Sequence, residues 1–370
     1  MFLAINELKH SRFRYLMVGA IITLIAWLAF LLAGLANGLV ADTGAALLDM
    51  KADHLIFQSN VRLFIHRSVL PEAMVNEVRE LPGVTAATPL GHLTIVVTRA
   101  SDSDQIDVTV LAIDPTGFLA PAIIEGESLV SAPEGGIVVD ESMKRRGVQL
   151  GDTLRITGAE MELTVIGFTA GQTYNHIPVI FMDLLRWRSL KFAAPGSDRG
   201  VVDPVSIIAV QMDEAAATQV AATLSGVEIV TPKVALDHLP GYKEEQSSIL
   251  MIEVFLFVIA AFIVAVFFYV ITLQKTNQFG VLKAFGASTG FLARGLIGQV
   301  LCLSLIGIGL GALLTYSVAA IMPESIPFNL AREIVVNYSA VLLLVALGGA
   351  LLSLRQIATI DPLIAIGRID

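Results

Sequence analysis

The sequence predicts a membrane protein with four transmembrane α-helices and one large extracytoplasmic α+β domain. Three observations lead to this fold class. Hydrophobic residues make up 55% of the 370 residues and charged residues only 15%, whereas a soluble chain carries roughly 25% charged residues. Four apolar stretches are long enough to cross a bilayer. The charged residues are concentrated between the first two of these stretches.

The four apolar stretches each approach or exceed the roughly 20 residues that a spanning helix needs. They cover residues 15–40, 249–273, 291–321 and 335–354. The basic run KHSRFR precedes the first stretch, as it does in signal peptides. Its apolar core is longer than that of a signal peptide and no convincing A-x-A site follows, so we interpret it as an uncleaved anchor.

The distribution of charge predicts the topology. Residues 41–248 hold 27 of the 33 acidic and 15 of the 24 basic residues, a balance of −12, and the rest of the chain is +3. Basic residues flank the spans at the N-terminus, between the second and third spans, and in the tail, which places these segments in the cytoplasm. Residues 41–248 and the short loop 322–334 then lie outside the cell, and both termini lie in the cytoplasm. The net charge of −9 argues against a nucleic-acid partner, because phosphate binding needs a basic face.

The segment 41–248 has the pattern of an α+β domain. The β-branched runs 93–100 and 106–113 flank a polar connection and predict a hairpin. Helical spacing predicts helices over 70–81, 183–192 and 213–226. Strand-like runs, GVTAATPL and GVEIVTP, follow two of these helices, which suggests a duplicated β-α-β unit. Further strands are predicted over 135–140, 152–158, 161–168 and 176–182.

The segments predicted to lie inside the cell are short. Residues 1–14 predict an amphipathic helix in the inner interface. Residues 274–290 predict a short helix along the inner surface, with Lys275 and Lys283 exposed to a partner, and residues 355–370 form the tail.

Known catalytic and nucleotide-binding motifs are absent from the sequence. It contains no GxxxxGK[ST] loop, no HExxH and no GxSxG, and its single cysteine, Cys302, excludes an internal disulfide. A membrane enzyme therefore has no support, although it is not excluded. Glu253 is an ionisable residue inside a predicted span, and such residues are functional candidates by default.

The chain resembles the MacB/FtsX-like permeases of ABC exporters. The resemblance rests on the topology and on QKTNQFGVLKAFGAS after the second span, RQIATIDPLIAIG in the tail and GGIVVDESMKRRGVQLGDTLRITG in the outer segment. It implies a homodimeric transport subunit with no catalytic residues of its own. This subunit would lie among the lipids of a bacterial plasma membrane and work with two copies of a separate ATPase. The ATPase would bind the ATP and would contact the coupling segment through Lys275, Gln278, Gly280, Lys283 and Gly286.

Within that superfamily the chain is similar to the HrtB-type haem-efflux permeases. Four stretches carry this likeness: MFLAINELKHSRFRY, TYNHIPVI, GYKEEQSSILMIEVF and VFFYVITLQKTNQFGVLKAFG. It implies haem as the substrate, no intrinsic cofactor and a role in relieving haem toxicity. Haem iron accepts His, Met or Tyr ligands, and its propionates favour Arg or Lys. The substrate-binding candidates are Tyr174, His176, Tyr242, Glu244, Glu245, Met251 and Glu253, with Arg62 and Arg67 for the propionates; the ligand of the iron stays open.

Three other functions remain open as alternatives to haem export. The chain could export another amphiphile, such as a peptide, a macrolide or a lipoprotein. It could be an FtsX-like regulator of cell-wall hydrolases that transports nothing, or a membrane enzyme without an ATPase partner.

The small-xxx-small pairs Gly34/Gly38 and Gly307/Gly311 predict close helix packing, either within the chain or across a dimer.

Overall fold

The computed structural model describes residues 12–100, 104–133, 135–323 and 326–358. The chain divides into two compact units. We call residues 39–246 the sheet unit, and the described residues 12–38 and 247–358 the helical unit. Most of the amphipathic helix predicted over 1–14 and most of the tail predicted over 355–370 lie outside the described residues.

Helix α1 (Arg12–Leu48) contributes residues to both units. It is kinked at Gly44, whose backbone is not helical (φ −131°, ψ 15°). A Cβ at this position would lie 2.3 Å from Leu236 Cδ1, so only glycine fits against that side chain.

The elements of the sheet unit follow in chain order. They are β1 (His54–Gln58), β2 (Leu70–Pro71), α2 (Ala73–Arg79), β3 (Val84–Arg99), β4 (Gln105–Ile113), β5 (Ile123–Gly126), β6 (Gly136–Asp140), β7 (Thr153–Ile156), β8 (Glu162–Thr169), β9 (Thr173–Tyr174), β10 (Ile177–Asp183), α3 (Leu184–Lys191), β11 (Pro204–Val205), β12 (Ile207–Met212), α4 (Glu214–Thr223), β13 (Val227–Val230) and α5 (Pro232–Asp237). The helices and strands expected between 70 and 226 are confirmed, with shorter helices than the patterns predict.

One end of the main sheet has the strand order β13-β1-β12-β3. Strand β1 is antiparallel to both β12 and β13, and β12 is antiparallel to β3. The units β1-α2-β3 and β12-α4-β13 are therefore two split β-α-β units, each with a strand of the other between its own two strands. This arrangement confirms the predicted duplication.

The chain between β3 and β12 extends the sheet in the order β3-β4-β10-β6-β8-β5. Strands β3 and β4 form the predicted antiparallel hairpin, with Leu93 opposite Val110. Strand β10 returns parallel to β4, and β6 is parallel to β8.

Alternating side chains along the strands bury both faces of the sheet, as the period of two requires. In β1, Leu55 and Phe57 belong to one buried cluster and Ile56 belongs to the other. Helices α2, α3 and α4 cover the face of Ile56. The end of α1, helix α5 and the first turn of the next helix cover the face of Leu55.

The helical unit contains the remaining helices: α6 (Tyr242–Gln274), which begins in the sheet unit, α7 (Thr276–Ala284), α8 (Thr289–Ala319) and α9 (Arg332–Ala358). Helices α1, α6, α8 and α9 are long and apolar enough to cross a membrane. Together with the mixed sheet they confirm the predicted fold class.

Glycines bring the helices of this unit into close contact. A Cβ on Gly311 would lie 2.7 Å from Ala26 Cβ, and one on Gly307 would lie 2.7 Å from Ile22 Cγ2, so α8 packs directly on α1. A Cβ on Gly38 would lie 2.1 Å from the Pro327 carbonyl oxygen. The predicted small-residue pairs thus serve packing within the chain.

Candidate functional site

A tight turn between β9 and β10 presents His176. Tyr174 pairs with Ile177, so Asn175 and His176 form a two-residue hairpin loop. Both have positive φ angles, 53° and 64°, as a type I′ turn requires. Glycine is the usual second residue of such a turn, and a side chain there is strained. Strained residues cluster at functional sites, which makes His176 a functional candidate.

The kink in α1 holds this turn in place. Because the backbone at Gly44 is not helical, carbonyl groups near the kink accept bonds from outside the helix. Thr173 Oγ1 donates to the Asp42 carbonyl oxygen at 2.6 Å, and the Asn175 N–H donates to the Thr43 carbonyl oxygen at 2.7 Å. The hairpin is thereby attached to the last turns of α1.

His176 lies between two carboxylates. Its Nδ1 is 3.2 Å from Asp42 Oδ2, and its Nε2 is 3.4 Å from Glu245 Oε2. The Thr43 hydroxyl is 3.1 Å from the same Nε2. All these side chains belong to the sheet unit, and those of Asp42, His176 and Glu245 are each partly exposed. We call Asp42, Thr43, His176 and Glu245 the imidazole–carboxylate cluster.

The cluster joins the end of α1, the start of α6 and the β9–β10 turn. Both ring nitrogens face protein oxygens, so the imidazole is held in one orientation. Among the described residues, no group of three or more His, Cys, Asp or Glu side chains is arranged to hold a metal ion. A metal could reach a ring nitrogen only if a present contact were released.

The two tyrosines predicted to bind substrate lie in the core of the sheet unit. Tyr174 packs its ring 4.9 Å from that of His92, and burial raises the pKa of its hydroxyl. Tyr242 is also buried, in the cluster that contains Leu55. Neither ring offers an exposed face to a ligand in this conformation.

The other predicted substrate residues lie along α6. Glu244 is exposed, and Met251 is exposed on the apolar part of the helix. Glu253 forms a side-chain hydrogen bond with Tyr338 of α9, whose ring also packs 5.5 Å from that of Phe257. Arg62 and Arg67 are both exposed on the sheet unit, and Arg67 lies over the Phe64 ring.

The expectation that Lys275 is exposed to a partner is wrong. Its side chain is buried, and Nζ donates to the Tyr15 hydroxyl at 2.7 Å. That hydroxyl in turn donates to Gln299 Oε1 at 3.3 Å. Lysine is costly to bury without partners, and this buried chain of polar groups joins α1, the junction of α6 with α7, and α8.

Helix α7 presents a partly apolar surface. Gln278, Val281 and Phe285 are exposed, and Phe285 is 86% exposed, whereas Gly280 is buried and Lys283 is half-buried. Gly286 ends the helix with φ +94°, and its N–H donates to the Lys283 carbonyl oxygen. A glycine in the left-handed region is the usual way to end a helix.

The sequence indicates His176 and Glu245 as candidate site residues, but it does not indicate Asp42 and Thr43. The signals were present: Asp42 is an acidic residue in the last turns of an apolar helix, and Asn175–His176 is a turn dipeptide. Neither signal shows that the two segments meet, because about 130 residues separate them.

Part of the chain matches a known family, and its full length is similar to described permeases. Residues 250–362 match a family model described as FtsX-like permease C-terminal. The chain is 28% identical over 368 residues to a protein of Staphylococcus haemolyticus described as a hemin transport system permease, HrtB, covering 100% of this chain and 99% of that protein. A protein of Staphylococcus epidermidis with the same description is 25% identical over 367 residues, covering 99% of both.

Among solved structures, the periplasmic region of MacB from Actinobacillus actinomycetemcomitans aligns with 50% of this chain and 91% of that structure, at 13% identity and a TM-score of 0.36. The resemblance to FtsX-like permeases that the motifs predict is confirmed by the family match and by the full-length relatives. Residues 250–362 thus correspond to the C-terminal domain of FtsX-like permeases, and the whole chain is similar to proteins described as permeases of a transport system.

Proposed function

We propose that the chain is the membrane subunit of an exporter that expels haem from the membrane and so relieves haem toxicity. It works as a homodimer with two copies of a separate ATPase. Haem enters sideways from the lipid near residues 242–253 and is released on the outer side. The relatives described as hemin transport permeases support this substrate, and the imidazole–carboxylate cluster is the observation that carries the proposal.

The cluster has the chemistry that a haem-binding imidazole needs. A histidine that binds a metal through one ring nitrogen generally donates its other N–H to a carboxylate or carbonyl oxygen. Asp42 is positioned to accept from His176 Nδ1, which leaves Nε2 as the nitrogen for the iron of the substrate. Glu245 and Thr43 would release Nε2 when haem arrives, and the exposed Lys243 is available to a propionate.

Haem titration of the purified full-length protein tests this proposal. We expect a Soret shift typical of a bound haem in the wild type, and at least tenfold weaker binding in His176→Ala. His238→Ala is the matched control, because His238 is an exposed histidine of the same unit bonded only to a backbone oxygen. Tyr174→Phe is expected to leave the spectrum unchanged, because Tyr174 is buried. Equal haem binding by His176→Ala and the wild type contradicts the assigned site.

The substrate itself is tested in the complex. Haem is expected to stimulate ATP hydrolysis when this chain is reconstituted with its ATPase. Stimulation by a peptide or a macrolide, with no response to haem, contradicts the haem assignment and favours another amphiphile. Capture of a cell-wall hydrolase by the full-length protein, without efflux of any substrate, favours an FtsX-like regulator.

The ATPase contact is proposed on the exposed side of α7, through Gln278, Lys283 and the protruding Phe285. Phe285→Ala is expected to reduce co-purification of the ATPase at least fivefold. Phe262→Ala is the control, because Phe262 is an equally prominent aromatic in the apolar middle of α6, 70% exposed. If both variants retain the ATPase equally, Phe285 is not part of the contact.

The proposed orientation puts both termini and α7 in the cytoplasm and the sheet unit outside. Protease treatment of spheroplasts is expected to cut the sheet unit and to spare tags at either end. Loss of a terminal tag in intact spheroplasts contradicts the orientation.

A further inference from the structure

The sheet unit contains a cavity that the imidazole–carboxylate cluster does not use. Its volume is about 270 Å³. One wall is the face of the sheet, where Leu90, Leu111 and Phe181 are buried side chains. The connection from β4 to β5 forms the opposite wall, with Phe118 and Leu119 turned to the cavity.

Three polar residues that line the cavity reach the surface of the unit: Asp49 and Lys51 are exposed, and Gln172 is half-buried. Asp49 and Lys51 follow one another closely after α1, and Gln172 Nε2 donates to Asp49 Oδ2 at 3.3 Å. Among the described residues that line the cavity, Asp49 and Lys51 carry the charged groups and Gln172 carries the side-chain amide. The wall is otherwise made of aliphatic and aromatic side chains, one threonine and one proline. The site is therefore amphipathic, with an apolar interior and a polar rim.

We infer that this cavity binds a single alkyl chain, with the polar end of the same molecule at Asp49, Lys51 and Gln172. Water in an apolar cavity finds few hydrogen-bond partners, so an alkyl chain gains free energy by displacing it. The inference goes beyond the proposed haem export, because no residue that lines the cavity belongs to the imidazole–carboxylate cluster.

The size of the cavity favours a chain over a macrocycle. Sites that enclose a drug-sized ligand measure roughly 300–1,000 Å³, and this cavity lies just below that range. It has room for a slender apolar group and not for a whole porphyrin. The alkyl chain could belong to a free fatty-acid-like amphiphile or to a membrane lipid, which share this chemistry.

The rim offers a way to close the cavity without disturbing the core. Ala170 is an exposed residue that lines the opening, so a tryptophan there fills the entrance at little cost to packing. Ala159 is an exposed alanine in the β7–β8 turn that does not line the cavity, and Ala159→Trp is the matched control. Ala122→Trp, also at the opening, replaces Ala170→Trp if that variant does not fold.

The test is a fluorescence titration of the full-length protein in nanodiscs with 11-(dansylamino)undecanoic acid, against empty nanodiscs. The wild type and Ala159→Trp are expected to bind the probe alike, and Ala170→Trp at least tenfold more weakly. Dansylglycine, which has the same head without the chain, is expected not to bind. Equal binding by all three proteins, or equal binding of dansylglycine, overturns the inference, as does displacement of the probe by haem and not by undecanoic acid.

A second measurement identifies the source of the chain. A phospholipid that co-purifies with the wild type and Ala159→Trp, and is lost from Ala170→Trp, identifies a membrane lipid. Probe binding without such a lipid identifies a free amphiphile. Haem binding by the wild type and its loss in His176→Ala are measured separately, so failure of the alkyl site and failure of the haem proposal are distinguishable.

Discussion

Replacement of His92 by leucine is expected to make the stability of the sheet unit less sensitive to acid. His92 lies in β3 and is 3% exposed, and neither of its ring nitrogens has a hydrogen-bond partner in another of the described residues. Burial is the main reason that its pKa falls from 6.5 to about 3, and the nearby charges of Lys191 and His66 lower it further. The folded protein therefore keeps this imidazole neutral at pH values where the unfolded chain binds a proton.

The direction of the pH dependence follows from this difference. Above pH 6.5 the imidazole is neutral in both states and has no effect on the free energy of unfolding. As the pH falls from 6.5 toward 3, the unfolded chain gains a proton that the folded protein does not bind, so stability decreases. Each pKa unit corresponds to about 1.4 kcal/mol, which gives a loss of about 2 kcal/mol at pH 5 and about 4 kcal/mol at pH 3, where the folded imidazole also begins to bind a proton.

Urea unfolding of the full-length protein at pH 7.5 and pH 5 measures this loss. Trp187 is the reporter, in a Trp27→Phe background, because it is fully buried under Gly91, the neighbour of His92. Between these two pH values the wild type is expected to lose about 2 kcal/mol more than His92→Leu. The control His238→Leu removes an exposed histidine and is expected to behave like the wild type.

All other ionisable groups are the same in both proteins, so their effects cancel in the comparison. If His92→Leu and the wild type lose the same stability between pH 7.5 and pH 5, the buried neutral imidazole is not the cause and the reasoning is wrong.

Three further predictions concern the helical unit, and detergent melting curves measure the first two. Gly311→Val would force a Cβ to within 2.7 Å of a side chain of α1, and we expect it to lower the free energy of unfolding by about 1–3 kcal/mol. Gly309→Val is the control: its Cβ meets nothing within 4 Å, so we expect almost no change in stability. Tyr15→Phe removes the 2.7 Å hydrogen bond to the buried Lys275 and is expected to lower the free energy of unfolding by about 1–3 kcal/mol. Tyr269→Phe, at an exposed ring, is its control. Gly286→Ala places a side chain at φ +94°, which is expected to lower the stability of the folded turn by about 1–2 kcal/mol. The variant is also expected to lower haem-stimulated ATP hydrolysis. Unchanged hydrolysis would show that this turn does not affect coupling.

Much of the fold could be predicted from local pattern. A spanning helix needs only sufficient apolar length. The second apolar stretch is long enough to be recognised although it contains the acidic residue Glu253. The β3–β4 hairpin followed from two β-branched runs, and the duplicated β-α-β unit followed from two helix–strand repeats. The exchange of strands between those two units could not be predicted, because pairing of β1 with β12 joins residues about 150 positions apart.

The candidate site was predicted in part, for the same reason. Glycines with positive φ, such as Gly286, can be suggested by a turn pattern, and residue chemistry alone selected His176 and Glu245 as candidates. Burial was not visible locally: Tyr174 and Lys275 have the side chains of ligands or contact residues, yet tertiary packing encloses both.

The sequence by itself therefore determined the fold class, the four apolar helices and the resemblance to FtsX-like permeases, because apolar length, alternation and short motifs are properties of neighbouring residues. Only the tertiary structure decided which side chains meet. The kink at Gly44 exposes carbonyl groups to the β9–β10 turn, and that contact brings Asp42 beside His176. Such a site depends on the path of the chain between distant segments, and no local pattern encodes that path.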